Sequence, residues 1–105
     1  MSMQDREQDF EARFAHDEAL RFRIEARRNK LLGLWAAGEL GKSAEEATAY
    51  AQEVVKADFT SPGDDDVFAK IRADFDAAGV AKSDHQIRRT MAELLIEAER
   101  QVQAD

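Results

Sequence analysis

Residues 10–41 read FEARFAHDEALRFRIEARRNKLLGLWAAGELG, with no proline anywhere in the run. At about 100° per residue, Leu20, Ile24, Leu31, Leu34 and Trp35 fall on one side as a wide apolar stripe. Ala12, Ala15, Ala19, Ala26, Gly33 and Ala37 line the other side, small residues that let a second backbone come close. A helix with one bulky and one small face can be packed on two sides. The spacing therefore predicts a central helix from Phe10 to Gly41 that begins outside the folded body and ends inside it.

Working downstream, Gly38 and Gly41 stop this helix, and Ser43-Ala44-Glu45-Glu46 spells a capping box that starts the next. The second helix carries Ala47, Tyr50, Ala51, Val54, Val55 and Phe59 at helical spacing, and Thr60-Ser61-Pro62-Gly63 ends it. Asp64-Asp65-Asp66 opens a third helix with carboxylates at the positive end of its dipole. Its inner face is Val67, Phe68, Ile71, Phe75 and Ala78, and Gly79 with Val80 predicts a Schellman stop. Ser83 and Gln86 form a second capping box. The fourth helix then places Ile87, Met91, Leu94, Leu95, Ala98 and Val102 on one stripe, with Ile96 opposite. Short connections between neighbours predict an all-α fold, a small four-helix bundle with a long N-terminal helix.

Upstream, residues 1–16 are highly charged, with Met1, Met3, Phe10 and Phe14 as their large apolar groups. Alone they bury too little surface to offset the entropy of ordering, so a frayed, flexible arm is expected. The pairs Asp9–Arg13 and Asp17–Arg21 are nonetheless spaced to support helix, acid first. Two readings stand: an ordinary ragged terminus, or a segment that becomes helical when a partner covers Phe10 and Phe14.

The composition narrows the function. The 105 residues make one domain, and plentiful Ala, Glu and Arg with a single proline agree with helices throughout. No cysteine is present, which excludes disulfides and thiolate chemistry and fits a reducing cytoplasm. No apolar run approaches the roughly 20 residues that span a bilayer, so membrane insertion is not expected. The net charge of −7 comes wholly from residues 31–105, while residues 1–30 are neutral. An acidic chain with one basic helical segment is a poor nucleic-acid binder and a better match to an acidic protein patch.

Candidate chemistry is sparse. Gly41-Lys42-Ser43 ahead of a helix resembles the end of a phosphate loop, but a helix rather than a strand precedes it. Lys42 at a helix start leaves a simpler anion site open there. The run Asp64–Asp66 lacks the spacing of a calcium loop, and helix-start acids account for it. His16 and His85 have no ligand-spaced histidine or cysteine, and no nucleophile–base pair assembles, so an enzyme is not expected. Arg23, Arg27 and Lys30 recur along one edge beside the apolar stripe, either a solvated face or a docking edge. Phe22 lies near the small-residue face, able to pack on a neighbour or to meet a partner. Trp35 reads as core.

Beyond these physical readings, several words of the sequence resemble a known family. They are Phe14-Ala15-His16-Asp17-Glu18, Leu20-Arg21-Phe22, and the long run from Ala26-Arg27-Arg28-Asn29-Lys30 through Leu34-Trp35-Ala36-Ala37. Glu53-Val54-Val55-Lys56-Ala57-Asp58-Phe59, then Ile87-Arg88-Arg89 and Met91, extend the likeness over nearly the full chain. The family is the zeta subunit, the ATPase inhibitor of alphaproteobacterial F-type ATP synthases. The resemblance implies a cytoplasmic regulatory protein, monomeric when free, bound to the catalytic subunits of the membrane-bound synthase through its soluble head. It divides the chain into a flexible inhibitory arm, residues 1–18, and a four-helix domain, residues 19–105. The arm would enter a catalytic subunit interface as a helix, with Arg6, Phe10, Arg13, Phe14 and His16 as its contacts. Phe22, Arg23, Arg27 and Lys30 would dock the body. No cofactor is implied apart from weak ATP or ADP binding, which the resemblance places on no particular residue; Gly41, Lys42 and Ser43 are the candidates offered by the anion-site reading above. A small nucleotide-responsive sensor, and a docked subunit with little or no inhibitory action, are the alternative functions.

Overall fold

The computed structural model describes the backbone of residues 3–58 and 64–104, and the side chains of residues 18–58 and 64–104. Four helices follow one another: α1 (Met3–Glu39), α2 (Ala44–Ala57), α3 (Asp65–Ala78) and α4 (Asp84–Ala104). No strand occurs among the described residues. α1 packs against both α2 and α4, and α3 closes the bundle between those two.

The boundaries are set locally. Gly41, at φ 74°, ends α1: its N–H and that of Lys42 donate to the carbonyls of Gly38 and Ala37 at 3.1 and 2.9 Å. Gly38 stays inside the helix. In the first capping box the Ser43 hydroxyl accepts from the Glu46 N–H at 3.3 Å, and Glu46 Oε1 accepts from the Ser43 N–H at 3.0 Å. Ser83 and Gln86 repeat this at 3.1 and 2.8 Å. Gly79, at φ 70°, forms the expected Schellman stop, with the Val80 N–H donating to the Phe75 carbonyl at 2.9 Å. Arg72 clasps the turn that follows. Its Nη1 donates to the Lys82 carbonyl at 2.6 Å and to Asp84 at 3.0 Å.

The core joins Leu32, Ala36 and Ala37 of α1 to Tyr50 and Val54 of α2, with Val67, Ile71 and Phe75 of α3 and Ile87 and Met91 of α4. Trp35 packs against this cluster, its ring edge-on to Phe75 at 5.6 Å between centroids. Three leucines differ from the stripes read in the sequence, and Ala78, read on the inner face of α3, is exposed. Leu34 and Leu95 are each 37% exposed, while Leu32, on neither expected face, is fully buried. The reason is that α2 and α4 approach α1 around the Leu32–Ala36 side and leave Leu34 at the rim. Ile96 is exposed.

The small face behaves as expected where a helix covers it. A Cβ on Gly33 would sit 2.6 Å from Ala51 Cα, so the α1 and α2 backbones meet at this glycine. Counting antiparallel from that contact, α2 ends about level with Arg27. Ala19 and Ala26 lie beyond that point and are exposed.

Candidate functional site

The Glu39–Lys82 ion pair at 3.9 Å and the hydrogen bond from Arg27 Nη1 to Gln101 Oε1 at 3.0 Å align α4 antiparallel to α1. α1 has 37 residues and α4 has 21, so α1 outruns its neighbour toward the N-terminus. The proposed arm contacts Arg6, Phe10, Arg13, Phe14 and His16 lie outside the residues whose side chains are described. Their backbone belongs to α1.

The basic edge is divided between two sides of α1. Arg27 reaches toward α4 through Gln101. Lys30 faces α2 instead, where it lines an open groove with Leu34, Thr48, Gln52, Val55 and Lys56. Arg23 is exposed. Phe22 is 67% exposed, the large aromatic surface nearest the arm among the described residues.

The basic residue that sequence reasoning passed over is Arg28. It is 1% exposed, and its Nη2 donates to Asp64 Oδ1 at 2.6 Å while its Nε donates to Asn29 Oδ1 at 2.7 Å. Asp64 makes no side-chain cap on α3; it is the anchor of α1 instead. Asp65, its neighbour, accepts from Arg88, whose guanidinium lies 4.0 Å from the centre of the Phe68 ring. The signal was present as an arginine one helical turn from Ile24 and Leu32 and an acid run before α3, but the pair is 36 residues apart in sequence.

At the Gly41–Ser43 corner, the Ser43 N–H is already hydrogen-bonded to Glu46, and this bond holds the Glu46 carboxyl below its ordinary pKa. Lys42 lies 5.5 Å from the centre of the Tyr50 ring. Tyr50 donates to Asp74 Oδ2 at 2.6 Å, so the neighbouring cleft also contains Asp74 and Glu53. His85 is exposed. Among the described residues, no cluster of three His, Cys, Asp or Glu is placed to hold a metal.

The fold is thus a small helical bundle with one overlong helix and a basic edge divided between two sides of it. The sequence profile described as ATPase inhibitor subunit zeta matches residues 1–101, and the chain belongs to that family. A solved chain, described only as a solution NMR structure of a protein, is 45% identical with a TM-score of 0.73. That likeness covers 81% of this chain and 96% of the other. No curated protein matches. Among the described residues, no helix is long and apolar enough to cross a membrane.

Proposed function

We propose that this subunit inhibits ATP hydrolysis by the F-type ATP synthase by inserting residues 1–18 as a helix at a catalytic subunit interface. Residues 19–105 then form the body that docks outside, on the cytoplasmic catalytic head. The observation that carries this reading is the continuity of α1 from Met3 to Glu39 past the end of α4. Its first fifteen residues would project by about 22 Å, enough to enter a cleft between subunits.

A lone helix of this length is only marginally stable in water. Burial of Phe10 and Phe14 in the cleft would supply the missing apolar contact, with Arg6 and Arg13 reaching acidic groups at its edge. A wedge held when one interface closes blocks rotation driven by hydrolysis, while rotation in the synthetic direction reopens that interface and releases it.

The test is hydrolysis by the cognate catalytic head with full-length protein and with protein lacking residues 1–14. Truncation is expected to abolish inhibition while circular dichroism still reports a cooperative helical fold. Equal inhibition by both proteins overturns the mechanism. The variant with both Phe10→Ala and Phe14→Ala is expected to follow the truncation.

A further inference from the structure

We propose that the groove between α1 and α2 seats an acidic amphipathic helix of the partner protein. An apolar side chain of that helix would enter between Leu34 and Val55, and carboxylates beside it would engage Lys30 and Lys56. The inference rests on the reading that the body docks on the catalytic head, and it names the chemistry of that contact.

The groove encloses about 490 Å³ and its floor is Ala51, the residue pressed against Gly33. Because two backbones meet there, the floor cannot be filled by a side chain from α1. Leu34 remains 37% exposed on one wall and Val55 is half-buried on the other. No carboxylate lines the groove.

Charge identifies the occupant. The chain carries −7 overall, and Lys70 and Lys82 are both held in ion pairs. Lys30 and Lys56 have no ion pair among the described residues, and they stand on either side of the same apolar cleft. The α2 dipole accounts for a cation at Lys56, in its last turn, but not for Lys30 on the facing helix. The chain's net negative charge disfavours an acidic partner over most other orientations, so complementarity at this groove would also fix the partner's register.

Length selects a helix over a small molecule. Phe22, Ala26, Lys30 and Leu34 lie on successive turns of α1 and are all exposed. This row runs for about 18 Å and extends the α1 wall of the groove past the end of α2, toward the root of the arm. An occupant that follows the row would aim the arm as it docks.

The experiment measures binding of the full-length chain to the catalytic head, together with the concentration giving half-inhibition. The variants are Lys30→Glu with Lys56→Glu, and Lys30→Arg with Lys56→Arg. Both pairs lie on the surface, and thermal melting checks that the fold is retained. Charge reversal is expected to weaken binding and to raise the half-inhibitory concentration together, by about tenfold or more. The arginine pair is expected to bind like the parent, and added salt to weaken the parent more than the reversed variant. Reversed protein that binds within about twofold of the parent overturns the proposal. A dimer of this chain that the reversal dissociates, with binding to the head unchanged, overturns it in favour of a second copy. A parent chain that binds through these lysines yet does not inhibit hydrolysis overturns the inhibitory mechanism and leaves the groove standing.

Discussion

Arg28, buried midway along α1, donates to Asp64 at 2.6 Å and so fastens the entrance of α3 to the central helix. Breaking a buried ion pair from one side costs about 3–5 kcal/mol, reduced here because the Asp64 side chain is 48% exposed. Asp64→Ala should therefore destabilise the fold by about 1–3 kcal/mol in urea unfolding. Arg28→Met removes the charge with its burial and should lose less than Asp64→Ala. The opposite order would show that the pair does not hold the two helices.

Gly33→Ala should lower the melting temperature. A methyl group there would meet the Ala51 backbone, and overpacking of this kind costs about 1–3 kcal/mol. Better helix propensity returns about 1 kcal/mol, which is not enough to reverse the sign. A variant that melts at or above the parent temperature would contradict the close approach of α1 and α2.

Tyr50 gives an alkaline signature. Burial and the hydrogen bond to Asp74 raise its phenol far above the ordinary value of 10. Its contribution to stability is complete below pH 10 and is lost as the pH rises toward the higher folded-state value. Because Tyr50 is the single tyrosine, phenolate absorbance reports on it alone. Ionisation should coincide with loss of helical circular dichroism. Tyr50→Phe, which deletes the bond to Asp74, should cost about 0.5–1.5 kcal/mol at neutral pH.

Adenine nucleotide gives a fourth test. A phosphate at the start of α2 would compete with the Glu46 carboxylate for the Ser43 N–H and meet Glu45 beside it. ATP should therefore produce no saturable amide shifts at Gly41–Ser43 in the parent chain, and a stronger response in Glu46→Ala. Saturable shifts at those three residues in the parent would favour the sensor reading.

The caps were legible because each is made within a few residues. Ser43 with Glu46, Ser83 with Gln86, and Gly79 with Val80 need no tertiary partner, so their types and spacing were enough. The helical class followed from the same local rules, as did the backbone approach allowed by Gly33. The faces were less legible. Leu32 and Leu34 are equally apolar and two positions apart, and only the placement of α2 and α4 decides which is covered.

By itself the sequence determined four helices, the stops at Gly41 and Gly79, and a central helix longer than the body requires. Phe59 and the stop read at Thr60–Gly63 lie outside the described residues. It also carried the words that mark the zeta family. Tertiary structure decided that Arg28 is an internal strut, that Arg27 turns to α4, and that Lys30 shares a groove with Lys56. Those roles depend on residues far apart in the chain, and the docking angles that join them arise from packing of whole helix surfaces rather than from any short run of residues.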